Sequence, residues 1–129
     1  MHAIRNPGLI LIAGFALTAI PAFAHHAFAA EYDSNKPVRL AGTVTRVEWT
    51  NPHAHFLMNV TDGSGKVSSW DLELGSPNAL QQEGWTRTSL KAGTRVTVRG
   101  YLARDRSNLA NARDVTLPDG RKVYTGSAH

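Results

Sequence analysis

Residues 38–49 read VRLAGTVTRVEW, and the side on which their apolar residues fall decides the fold. Val38, Leu40, Gly42 and Val44 alternate with Arg39, Thr43 and Thr45, the period of a half-buried strand. Val47 and Trp49 then carry the apolar face onto odd numbers. A change of parity with no intervening turn predicts a bulge near Thr45 and Arg46, and Gly42 adds a bend. A long, bent first strand is what a small closed barrel needs.

Outward from that stretch, alternation continues. His53 to Thr61 places Ala54, Phe56, Met58 and Val60 on one face and His53, His55, Leu57 and Asn59 on the other. DGSG at 62–65 is a turn. Lys66 to Leu74 follows, with Trp70, Leu72 and Leu74 inward and Asp71 and Glu73 outward. In GSPNALQQEG (75–84), Ser76 is a fitting N-cap, Pro77 takes the first helical position and Gly84 stands at C′, so one short helix is predicted. A further helical turn is expected at Thr88 to Lys91. TRVTVRGYLAR (94–104) and NARDVTL (111–117) read as strands, and RKVY (121–124), after the PDG turn, as a short terminal strand.

The expected fold is mainly β: a small five-stranded OB-like barrel with one short helix between strands 3 and 4, preceded by a signal peptide. A β-sandwich is the rival, but it normally has about seven strands and no interior helix.

The start of the chain has the three parts of an export signal. Arg5 lies in the n-region, Leu9 to Ile20 form the apolar stretch, and Ala22-Phe23-Ala24 is an A-x-A cleavage site. The apolar run is shorter than the ~20 residues of a spanning helix, so cleavage after Ala24 is expected and no membrane insertion after it. The expected divisions are a signal peptide over 1–24, an irregular arm over 25–37 containing Asn35 and Pro37, and the barrel over 38–129. Localisation would be periplasmic in a bacterium.

Composition narrows the function classes. A chain of 129 residues makes one domain the default, and 42% hydrophobic with 19% charged residues is ordinary for a folded one. Fourteen Lys and Arg against ten Asp and Glu are scattered, which argues against a nucleic-acid partner. With no cysteine, disulfides and thiolate metal ligands are both excluded.

The stretches HHAFAAEYD (25–33), GTVTRVEWTNPHAHF (42–56), GSPNAL (75–80), GWTRTSLKAG (84–93) and ANARDVTLPDGRKVYTG (110–126) resemble those of a family of small exported bacterial proteins defined as a domain of unknown function. The resemblance runs over essentially the whole mature chain and implies export and a barrel-like domain. It carries no activity. A looser similarity to small periplasmic OB-fold proteins rests on topology alone.

Signatures of catalysis are missing: there is no G-x-S-x-G elbow and no H-E-x-x-H pair, and GSGK (63–66) lacks the earlier glycine of a phosphate loop. The chain is not expected to be an enzyme. Trp49, Trp70, Trp85 and Tyr101 offer stacking surface, but rings in strands usually fill cores.

The histidines carry the remaining signal. His53 and His55 project to one side of their strand, across from Asp71 and Glu73 in either register that keeps the apolar faces together. An ordinary cross-strand polar pairing accounts for that face equally well. Cleavage after Ala24 would give His25 a free α-amino group, and that nitrogen with the His25 imidazole can chelate one metal ion. His26, or His53 and His55, would complete a nitrogen-rich site, which suits copper(II). The alternative is that His25 and His26 are only the polar start of an arm. The leading reading is thus an exported binding or accessory protein with a copper site at His25, His26, His53 and His55. A cell-envelope module that binds a protein or glycan on the barrel face, without metal, is its competitor.

Overall fold

The computed structural model describes residues 27–105 and 107–126. The expected signal peptide, His25 and His26 lie outside them. Among the described residues a helical turn at 27–31 is followed by six strands and one short helix, in the order β1 (Tyr32–Glu48), β2 (His55–Thr61), β3 (Val67–Glu73), α1 (Pro77–Gln82), β4 (Arg95–Ala103), β5 (Leu109–Thr116) and β6 (Lys122–Thr125). The sheet runs β3-β2-β1-β4-β5-β6. A parallel pairing of β3 with β5, Asp71 to Leu109 through Glu73 to Asn111, closes the first five strands into a ring. A closed ring with a helix between its third and fourth strands is similar to the OB fold. Among the described residues the strand count is six rather than five, because the short terminal strand pairs with β5 (Val115 opposite Tyr124) and extends the sheet beyond the ring.

β1 serves two partners. Its first half pairs with β4 from Pro37 to Thr43, and its second half with β2 from Thr43 to Glu48. The ladder to β2 steps from Val44–Met58 to Arg46–Leu57, leaving Thr45 as the extra residue, so the bulge falls where the parity change predicts it. At the bend the backbones come so close that a Cβ on Gly42 would sit 2.1 Å from the Asn59 carbonyl oxygen. Only glycine fits there.

The ring encloses Val44, Phe56, Met58, Leu72, Val98 and Val115, all almost fully buried. Leu80 of α1 packs into the same core at 1% exposure. The Ser76 side chain accepts the Ala79 amide at 3.1 Å, Pro77 opens the helix, and Gly84 follows it at φ +91°. Trp49 and Trp70 are half-buried against the core, and Trp85 is buried with its Nε1 donating to the Val123 carbonyl at 3.0 Å. The rings serve packing. The helical turn expected at Thr88 to Lys91 is instead a tight turn, in which the Ser89 amide bonds the Thr86 carbonyl and the Ser89 hydroxyl accepts the Thr86 amide.

The irregular arm expected over 25–37 is ordered across its described part. Residues 27–31 are helical, and β1 already begins at Tyr32. Phe28 in that turn and Tyr32, the first residue of β1, lie 5.5 Å apart between ring centroids. Phe28 also meets Tyr101 edge-on at 6.1 Å. Arg104 ties the turn down, its amide donating to the Glu31 carbonyl at 2.8 Å and its Nε to the Ala29 carbonyl. Asn35 and Pro37 still leave a mark, for the ladder to β4 is broken between Tyr32 and Pro37. Among the described residues no helix is long and apolar enough to cross a membrane.

Candidate functional site

The ordered start of the domain lies over the histidine-carboxylate face. Register places His55 directly opposite Glu73 and Leu57 opposite Asp71. On the side shared by these residues, His55 Nδ1 is 2.7 Å from Asp71 Oδ1, His55 Nε2 is 3.9 Å from Glu73 Oε2, and His53 Nδ1 is 3.6 Å from Glu73 Oε1. The cross-strand pairing read from parity is therefore present. Its exposure differs from expectation: Glu73 is buried at 8%. The Tyr32 hydroxyl donates to Glu73 Oε2 at 2.8 Å, and Asn111 Nδ2 donates to Oε1 at 3.3 Å. A buried carboxylate needs such donors, and among the described residues no buried side-chain oxygen or nitrogen is left unpaired.

Tyr32, His53, Glu73 and Asn111 border a cavity of about 300 Å³. Ala27, Phe28, Glu31 and Tyr32 form one wall, Leu74, Leu80 and Tyr124 supply apolar surface, and His53, Glu73 and Asn111 supply polar groups. Convergence of a few polar groups on apolar walls is the usual make-up of a small-ligand site. The local fields are acidic. Burial, reinforced by Glu73, raises the Glu31 carboxyl above the usual carboxylate range. Burial and the same carboxylate push the Tyr32 phenol far up, so it stays a donor. The hydrogen bond to Asp71 raises the His55 imidazole above 6.5 against the opposing effect of burial. Burial pushes the Tyr124 phenol up to about 12.

Of the four predicted metal ligands, His53 and His55 are brought together around Glu73, and His25 and His26 fall outside the described residues. Among the described residues no three His, Cys, Asp or Glu side chains are arranged to hold a metal ion. Sequence reasoning missed Glu31, Tyr32 and Asn111. One signal bears on Asn111, the parity change between Ala112 and Val115 in ANARDV, which marks a second bulge beside it; Glu31 and Tyr32 stand at the end of a single turn too short for any period.

A family model for a family of unknown function, DUF6152, matches residues 14–111, a span that includes His53, Glu73 and Leu80 of the cavity lining. The chain belongs to the DUF6152 family. No curated protein matches it. Among solved structures, it is similar to the N-terminal domain of PriB from Thermoanaerobacter tencongensis, described as dimeric, at 23% identity and a TM-score of 0.44, over 65% of this chain and 97% of that one. It is also similar to TiaS in a complex with a tRNA and ATP, at 18% identity and a TM-score of 0.44, over 66% of this chain and 18% of that one.

Proposed function

We propose that this DUF6152 protein is an exported, non-catalytic binding protein whose ligand is a divalent transition-metal ion, copper(II) foremost. The α-amino nitrogen and imidazole of His25 form the chelate, and His26 or the His53/His55 face completes it. One observation carries the reading: Ala27, the residue after His26, lines the same cavity as His53 and Glu73. Cleavage after Ala24 would thus create the chelating amine two residues ahead of a cavity wall. Nitrogen donors favour copper(II) among the first-row divalent ions, and the neighbouring carboxylates of Glu31 and Glu73 suit a cation.

The test is a copper(II) titration of tag-free mature protein and of a variant with one extra Ala ahead of His25. The insertion separates the amine from the imidazole and keeps every histidine. A loss of about tenfold or more in the variant supports the terminal chelate. Equal affinity, or no binding to either protein, removes it and leaves the envelope-interaction reading.

A further inference from the structure

On the side of the ring that carries neither His53 nor His55, β1, β4, β5 and β6 border a groove of about 570 Å³. It meets the His53–Glu73 cavity only at Thr125 and Gly126. Its charged lining consists of Arg39, Arg99, Arg113 and Lys122 against the single carboxylate of Asp114. That carboxylate is already engaged: Arg99 donates to both of its oxygens, with Nε at 3.0 and 3.2 Å, and Lys122 Nζ stands 3.8 Å away.

The ladder brings further positive charge to the same place. Arg39 lies directly opposite Arg99 on the paired strands, and like charges so placed repel. The pairing of β4 with β5 steps from Arg99–Asp114 to Gly100–Ala112, which makes Arg113 an extra, bulged residue and lets it line the groove together with Asp114. The Arg113 guanidinium stands 5.8 Å from the Tyr101 ring centroid, so an aromatic face borders the cations. A repelling arginine pair beside a saturated carboxylate has room for an anion with several acceptor oxygens, which guanidinium forks grip in two-point fashion.

We infer that this groove is an anion site for a phosphate-bearing ligand, with Arg39 as its grip and Arg99, held by Asp114, together with Arg113 and Lys122 as its flanks. It is independent of metal at the His25 terminus. A negative charge at position 39 would repel the ligand while relieving the Arg39–Arg99 repulsion, so binding and stability should move in opposite directions.

Inorganic pyrophosphate is the probe, titrated by calorimetry at low salt into the mature protein and into Arg39→Glu, Lys122→Glu and Arg95→Glu. Arg95 is exposed on the same strand as Arg99 and outside the groove, so its replacement alters net charge equally. Expected are a roughly 10- to 100-fold weakening in Arg39→Glu and Lys122→Glu, little change in Arg95→Glu, and a melting temperature for Arg39→Glu no lower than that of the parent. Co-sedimentation with phosphatidylglycerol vesicles, sensitive to Arg39→Glu, would assign the phosphate to a lipid headgroup. Pyrophosphate binding without co-sedimentation would assign it to a soluble phosphate. Equal weakening in all three variants, or no pyrophosphate binding by the parent, overturns the site.

Discussion

Tyr32 and Glu73, 41 residues apart, are joined by a buried 2.8 Å hydrogen bond that ties the start of β1 to the end of β3. The phenol makes the burial of the carboxylate tolerable, and the carboxylate fixes the segment that walls the cavity. Tyr32→Phe keeps the ring and leaves Glu73 short of a donor. The expected cost is about 1–3 kcal/mol, read as a lower urea midpoint with an unchanged slope. A midpoint equal to that of the parent would show that the bond contributes nothing net.

Asp71 controls the charge of His55. In the metal-free protein the imidazole titrates above 6.5, chiefly through its hydrogen bond to Asp71. A histidine raised in the folded state contributes stability that is whole below 6.5 and is lost as pH rises through the folded value. Asp71→Asn should move the His55 titration toward 6.5 and flatten that pH dependence. Proton NMR of the His55 ring across pH 5–9 reads the titration, and urea midpoints over the same range read the stability.

Gly42 is set by geometry rather than by flexibility, since a Cβ there would run into the Asn59 carbonyl at 2.1 Å. Backbone cannot swing aside as a side chain can. Gly42→Ala should therefore destabilise by about 1–3 kcal/mol or more, seen in thermal melts. Gly63→Ala, where the added Cβ meets nothing within 4 Å, is the matched control and should stay near the parent.

Much of this fold is legible in the order of apolar residues, and the places where reading stops have physical reasons. The shift of the apolar face from Val44 to Val47 announces the Thr45 bulge, because a strand's period of two leaves no other way to keep both residues turned toward the core. The same signal between Ala112 and Val115 marks the Arg113 bulge. Alternation places His55 and Glu73 on one side of their hairpin, and the register agrees. What alternation cannot convey is what covers that side. The cover is a single turn at 27–31, too short for any period, and Glu73 acquires its donors from Tyr32 and Asn111, both far away in sequence.

Asp114 should govern acid stability. Arg99 is the main cause holding its carboxyl below the ordinary 3.8, with a smaller contribution from Lys122. A carboxylate lowered in the folded state stabilises at pH above 3.8 and loses that contribution as pH falls through the folded value. Arg99→Gln removes the grip, so its acid unfolding midpoint should lie at higher pH than that of the parent, while the two proteins differ least at the lowest pH. Circular dichroism followed from pH 7 to pH 2 reads the midpoint.

The Arg39–Arg99 pair is the place where stability and binding are expected to part. Two arginines directly opposite on antiparallel strands carry like charges that repel, and Asp114 pairs with Arg99. Glutamate at position 39 would instead face Arg99 as an opposite charge. Cross-strand pairs of that kind contribute about 0.2–1 kcal/mol, so Arg39→Glu should unfold at a slightly higher urea concentration than the parent. Raised salt screens an exposed pair, so the gain should shrink between 0.05 M and 1 M sodium chloride. A residue whose replacement stabilises the fold and weakens pyrophosphate binding serves the ligand at the expense of the sheet. If Arg39→Glu proves less stable than the parent at low salt, the pair is not repulsive, and the strain that argues for an anion between the two arginines is absent.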